Sequence, residues 1–446
     1  MATSMRAHAG AVTTATATRL AGRRVIEVTI GGGPNRGALT PEDSDLLAHA
    51  IRRAADQRLP LVCLLSSSGV DVSRGLEGIQ RWGEAARELA RASGVVPTLF
   101  AACGPAVSGP ALLLGLADHV VFTTEAYAFV SGPRMVQDFT GVPISTDLLG
   151  GPGAHARSSG LATMVVQDTE TAREAIGDLL AYLPDHVDEL PPRWDTDDPD
   201  DRPTPEAGDL IPAHPTGSYD VRDVIRAVAD DHELLELRAN WAPNLVTAFV
   251  TLGGHPVGVV ANQSQSLAGA IDIPASQKGA RFVAFCDSFN IPLLTMVDTS
   301  GFLPGKDLEW RGMIRHGAQL AFAYARATVP RIGLTLRKSY GGAYIVMDSR
   351  HMGNDLMMAW PSAEVAVMGA KGAVEILHRG ITPERRVELE GEYERRFLTP
   401  YPAAERGSIS MVIDPADTRR ELVAAIRLLG TKREALRPRR HDNSPL

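Results

Sequence analysis

RKSYGGAYIVM, residues Arg337–Met347, follows the apolar run IGLTL (Ile332–Leu336), which reads as a buried strand. The residues after it read as helix, so Gly341, Gly342 and Ala343 stand where a strand becomes a helix. Glycines at such a place serve a tight turn. They also bare the first N–H groups of a helix, which lack partners inside it and favour a negative group. The chain on either side decides between the two.

At 446 residues the chain is too long for one ordinary core, so two domains are expected. Apolar residues make up 44% and charged residues 22%, the balance of a globular protein without a membrane span. No signal-peptide core lies near Met1, and Met1–Gly10 reads as a short disordered lead. A net charge of −8 argues against nucleic acid as the partner. Cys63, Cys103 and Cys286 show no CxxC spacing, which predicts neither a disulfide framework nor a metal site and fits a reducing cytoplasm.

Working outward from the opening stretch, strands and helices alternate. RRVIEVTI, LPLVCLL, VVPTLFAAC, DHVVFT and AYAFV read as strands; GIQRWGEAARELARAS and GPALLLGLA read as helix. TPEDSDLLAHAIRRAADQ is a helix with Thr40 as N-cap, Pro41 at its first position and acids in its first turn. Residues 185–218 are rich in Pro and Asp and read as a solvated linker between an N-terminal domain, 11–184, and a C-terminal domain, 219–446. The alternation then resumes with VTAFVTL, PVGVVAN, ASQKGARFVAFCDSFN, PLLTMVD and IRHGAQLAFAYARAT. An α/β fold with largely parallel sheets follows.

The halves also repeat each other. GPAVSGPALL…DHVVFTTEAYAFVSGPRMV has the layout of RKSYGGAYIV…DLMMAWPSAEVAVMGAKGAV: strand, small-residue turn, helix, acid-led apolar segment, and a short strand ending at Gly132 or Gly369. One long repeat of this kind indicates a duplicated domain.

NQSQSLAGAIDIPASQKGARFVAFCDSFNIPLLTMVDTSGFLPG, RKSYGGAYIVM, AWPSAEVAVMGAKGAVEI and the tail TKREALRPRRHDNSPL resemble the carboxyltransferase (β) subunits of biotin-dependent acyl-CoA carboxylases, propionyl-CoA and acetyl-CoA types nearest. The resemblance is dense from Tyr219 onward and looser before it. It implies two duplicated crotonase-like ββα superhelix domains, a homohexamer, and a site where the N-terminal domain of one subunit meets the C-terminal domain of its neighbour. It implies transfer of CO2 from carboxybiotin, carried by a separate biotin carboxylase/biotin-carrier α subunit, to the α carbon of acetyl-, propionyl- or somewhat longer acyl-CoA. In that chemistry negative charge develops on two oxygens, the biotin ureido oxygen and the thioester oxygen. Fixed backbone N–H groups suit both, without a metal. By resemblance Gly341, Gly342 and Ala343 hold the ureido oxygen, with Gly301 and Phe302 of DTSGFLPG beside them. Ser108 and Gly109 face the thioester, with Pro110, Ile345, Tyr344, Gly69 and Gly132 around the acyl-CoA.

Three departures from the family pattern stand out. Ser108 and Pro110 replace a glycine and an alanine, and proline has no N–H to donate. In SSSGVDVSRG, Asp71 and Arg74 exchange the family's order of charges, which leaves room for a local ion pair between them. Ile345 replaces the aspartate usual in propionyl-type members, which predicts acceptance of acetyl or longer chains beside propionyl. Other motifs read as structure: GGGPNRG as a loop, His155 as bonded to backbone, His316 likewise structural, Lys278 and Arg281 as a solvated or ion-paired face. The basic tail is expected to cover a neighbouring surface or the CoA entrance. Two other functions fit the same residues: a biotin-independent decarboxylase of malonyl- or methylmalonyl-type thioesters, and a non-catalytic carboxylase scaffold.

Overall fold

The first long helix begins as its residue types dictate. Thr40 caps it by accepting from the Asp43 N–H while the Asp43 carboxylate turns back to the Thr40 N–H, and Pro41 occupies the first position. This is α1 (Pro41–Gln57), seen in a computed structural model that describes residues 4–6, 11–33, 35–214, 216–432 and 434–445. The chain divides into two compact units. The first runs to Pro192 and takes in Arg238–Trp241 and Ser288–Asn290; the second comprises Arg193–Leu237, Ala242–Asp287 and the chain from Ile291.

In the first unit, β1 (Ser4–Arg6), β2 (Thr13–Leu20), β3 (Arg23–Ile30), β4 (Leu61–Ser67), β5 (Thr98–Val107), β6 (His119–Thr123) and β8 (Met164–Val166) follow one another across a sheet, and β7 (Tyr127–Phe129) pairs with the far end of β5. The β1–β2 and β2–β3 pairs are antiparallel; from β3 onward the pairs are parallel. Crossovers such as α1 and α2 (Leu76–Ala92) explain the parallel part. Their apolar stripes, including Leu47, Ile51 and Leu89, pack with Cys63, Leu65, Phe100, Val120 and Phe122 of the sheet. The expected disordered lead lies outside the described residues except for Ser4–Arg6, which is the strand β1. Pro34 of the GGGPNRG loop and Arg433 of the tail also lie outside them.

The second unit repeats this plan. β9 (Leu235–Leu237), β10 (Leu245–Leu252), β11 (His255–Asn262), β12 (Leu293–Thr299), β13 (Arg331–Tyr340), β14 (Leu356–Ala359) and β16 (Met411–Val412) lie in order, and β15 (Glu364–Ala366) pairs with the far end of β13. Its first two pairs are antiparallel and the rest parallel. Val250, Val259, Leu294, Met296, Ile332, Leu334 and Trp360 form its core.

The acidic stretch is more than solvated chain. Asp198 pairs with Arg202 at 2.7 Å and lies 3.6 Å from Arg419, a fully buried side chain of the helix Thr418–Leu429. Arg419 also pairs with Asp230 at 2.7 Å and donates to the Pro199 carbonyl at 2.8 Å. A short helix, Pro205–Asp209, lies within the stretch. Composition alone does not reveal this, because Arg419 lies more than 200 residues away in sequence.

Candidate functional site

The duplication extends to backbone irregularities. Between β4 and β5 the register steps from Leu65↔Ala102 to Ser67↔Ala106, and between β12 and β13 from Val297↔Thr335 to Thr299↔Ser339. Two residues oppose four in both places. Bulges of this kind bend a strand and redirect its end. Side chains brace both loops alike. Ser67 Oγ donates to the Gly69 carbonyl at 3.1 Å and accepts from its N–H at 3.2 Å. Thr299 Oγ1 does the same for Gly301 at 3.3 Å each. The bridges Leu39↔Val70 and Ile271↔Phe302 complete the match. The strand ends therefore align Ser108 with Gly341, Gly109 with Gly342 and Pro110 with Ala343.

In the second unit β13 turns into a helix at Gly341–Val346. Gly341 sits at φ 58, where a side chain is disfavoured, and a Cβ there would lie 3.2 Å from the Val367 carbonyl oxygen. The first-turn N–H groups of Gly342 and Ala343 have no acceptor within the helix. Gly341, Gly342, Tyr344 and Ile345 line a cavity of about 530 Å³, closed by Val365, Val367, Tyr393, Phe397 and Arg406. Ala343 is buried behind it, and the Phe302 ring lies 3.6 Å from where a Gly342 Cβ would be. The opening glycines thus face a cleft rather than serving only a turn. Tyr393, Phe397 and Arg406 went unread in the sequence, since nothing local ties them to residues some 50 positions earlier.

Buried ionic groups hold this turn from below. Asp298, just before the braced loop, accepts from Tyr219 Oη at 2.9 Å, from Arg337 Nη2 at 2.9 Å and from the Lys338 N–H at 3.0 Å. The Arg337 guanidinium also stacks over the Tyr219 ring at 5.3 Å. Burial, with the Asp298 charge adding to it, pushes the Tyr219 hydroxyl well above its ordinary pKa. Tyr340 Oη donates to Glu364, whose pKa is raised by burial. Beyond the helix, buried Asp348 accepts from Arg331 at 2.6 Å and Asn354 at 2.9 Å. Burial outweighs the Arg331 charge and pushes Asp348 up to about 6.

In the first unit the turn opens α3 (Gly109–Leu116). Ser108 holds φ 60 and ψ −130, close to the φ of Gly341 although it carries a side chain. Its own N–H donates to the Phe129 carbonyl at 2.9 Å. Gly109 lies under the Trp82 indole, whose atoms are 3.0–3.2 Å from any Cβ placed there. Pro110 is buried at the second position of α3. Gly69, at φ 118, lies against the turn: its Cβ position is 3.6 Å from the Val107 carbonyl oxygen and 3.9 Å from Ser108 Cβ. Gly132 caps the helix Pro133–Thr140 and packs on Phe129.

Several expectations resolve at the same time. The local Asp71–Arg74 ion pair does not form. Arg74 pairs with Glu42 of α1 at 2.8 Å, and Asp71 caps a short turn by accepting from the Ser73 N–H at 3.0 Å. The local N-cap competes successfully for a carboxylate so close in sequence. Lys278, read as part of a solvated or ion-paired face, is buried and donates to the Ala242 carbonyl at 3.4 Å. His155 has the structural role expected, with Nε2 2.9 Å from the Ala128 carbonyl oxygen and Nδ1 2.8 Å from Ser159 Oγ. His316 sits between Gln277 and Gln319. The tail returns to its own unit: Gln319 Nε2 donates to the Pro445 carbonyl, and Asp442 pairs with Arg326. Among the described residues no three His, Cys, Asp or Glu side chains gather to hold a metal ion, and no helix is long and apolar enough to cross a membrane.

The duplicated crotonase-like units, with their matching strand–helix turns, place the chain in the carboxyltransferase class. The chain belongs to the carboxyl transferase domain family, whose model matches residues 8–444. It is 41% identical to the propionyl-CoA carboxylase carboxyltransferase subunit of Haloferax mediterranei, over 92% of this chain and 81% of that one. It is 40% identical to the methylmalonyl-CoA carboxyltransferase 12S subunit of Propionibacterium freudenreichii subsp. shermanii, over 92% and 79%. Among solved structures it matches transcarboxylase 12S, described as a hexamer with methylmalonyl-coenzyme A and methylmalonic acid bound. The TM-score there is 0.94 at 38% identity, covering 97% of this chain and 85% of that one.

Proposed function

We propose that this chain is the carboxyltransferase subunit of an acyl-CoA carboxylase, moving CO2 from carboxybiotin on a separate carrier protein to the α carbon of a short-chain acyl-CoA. One observation carries the reading: two equivalent strand–bulge–helix turns, one per unit, in a chain of this family. The residues around Gly341 fit biotin, because an apolar-walled cavity with first-turn N–H groups at one edge suits a compact ring system with one polar oxygen. Carboxybiotin, when bound, supplies the carboxyl group. Gly341, Gly342 and Ala343 would hold the ureido oxygen, with Phe302, next to Gly301 in its loop, packed against Gly342. Around Gly109 the turn binds the thioester oxygen as it gains charge. Because the donors are fixed by the fold, they need no reorganisation when the charge appears.

Ile345 makes the cavity wall apolar, so acetyl-CoA and longer acyl-CoAs are accepted beside propionyl-CoA. We infer a homohexamer and a biotin carboxylase/biotin-carrier partner by analogy with the relatives named above. Three unpaired cysteines and a net charge of −8 support a cytoplasmic protein that binds neither nucleic acid nor membrane. The names of these relatives favour transfer over biotin-independent decarboxylation. Purified chain, carboxylated carrier and acetyl- or propionyl-CoA should yield malonyl- or methylmalonyl-CoA. Absence of product with every acyl-CoA refutes the proposal. CO2 release from those products without biotin identifies the decarboxylase instead, and exchange of acyl α-protons with deuterium rules out a mere scaffold.

A further inference from the structure

Resting on the acyl-CoA reading above, we propose that the Ser108 hydroxyl donates to the thioester oxygen in place of the N–H that Pro110 lacks, together with the N–H groups of Gly109 and Val70. The two turns superpose in register, yet they differ in what they can donate. In the second unit the position after Gly342 is Ala343, which has an N–H; its counterpart Pro110 has none. The side chain gained is at Ser108, where the second unit has glycine.

Three observations place that hydroxyl in the role. Ser108 is exposed, and among the described residues its Oγ has no hydrogen-bond partner. Its backbone keeps φ 60 and ψ −130, so the serine is held where glycine would be easier, and its Cβ lies beside Gly69 at the strand ends. The loop facing it leaves one amide free. Ser68 N–H is committed to the Arg36 carbonyl, Gly69 N–H to Ser67 Oγ and Asp71 N–H to the Leu39 carbonyl, while Val70 N–H has no acceptor among the described residues. The Cβ position of Gly69, next to Val70 in the chain, is 3.9 Å from Ser108 Cβ, so an uncommitted hydroxyl and two uncommitted amides stand at the strand end that matches the helix amides of the second unit. A hydroxyl can rotate to follow the oxygen as it becomes negative, and a charge-assisted bond of this kind is strong.

The test uses the full chain with carboxylated carrier and propionyl-CoA, and compares Ser108→Gly with the double variant Ser108→Gly/Pro110→Ala. Glycine suits the backbone at 108, so folding should be retained and the melting temperature should not fall. We expect Ser108→Gly to lower kcat on the order of 10²-fold with KM little changed, the pattern for a donor used only in the transition state. The double variant, which restores a backbone N–H, should recover most of that loss. Parental kcat in Ser108→Gly overturns the proposal, and so does a double variant as slow as the single one. Failure of the parental chain to turn over any acyl-CoA would instead strike the carboxyltransferase reading itself.

Discussion

At Gly341 a hydrogen in place of a side chain relieves both the backbone and the packing of the turn. The backbone stands at φ 58, and a methyl group would meet the Val367 carbonyl oxygen at 3.2 Å. Gly341→Ala should therefore lose about 1–2 kcal/mol of stability in urea unfolding, the usual penalty for a side chain in the left-handed region. It should also lower carboxylation severely, since the turn relaxes by moving the donors. Thr40 and Pro41 were legible at this scale because capping and φ restriction act within a few residues. Ser108 was not: serine carries no local signal for the conformation that tertiary contacts hold it in.

The helix Gly341–Val346 is only six residues long, too short to stand on its own hydrogen bonds. Its far end is fixed by buried Asp348, whose pKa is lifted from 3.8 to about 6. From about pH 4 to pH 6 the folded state keeps a proton that the unfolded state has released. The contribution of this group is thus intact at low pH and is lost as pH rises through 6, by roughly 3 kcal/mol. Urea unfolding of the parent and Asp348→Asn at pH 4 and pH 7 checks this: the stability of the parent relative to the variant should fall by about that amount with rising pH. The element pattern was readable because apolar periodicity is local. The paired bulges were not, since register depends on a neighbouring strand.

At the scale of the molecule, Arg419 organises the proline- and aspartate-rich stretch. It is completely buried and touches Asp198, Pro199, Val228 and Asp230. Arg419→Ala strands the buried Asp230 carboxylate without its counter-charge, while Asp198 keeps Arg202, and should lower stability by about 3–5 kcal/mol in thermal or urea unfolding. Arg419→Lys should recover little, because an ammonium cannot span several acceptors as the planar fork does. A linker that only floated in solvent would leave both variants near the parent.

What the amino-acid order determined alone was the alternation of strands and helices, the internal repeat, and the small residues at both strand–helix turns. Those follow from local periodicity, capping and the absence of a Cβ, each of which acts over one or two turns of chain. Only the tertiary structure decided that Gly341 and Gly342 border a cavity, that Tyr393, Phe397 and Arg406 close it, and that Ser108 takes a glycine's conformation. Cavities, registers and buried ion pairs join residues far apart in sequence, and packing rather than local preference brings them together.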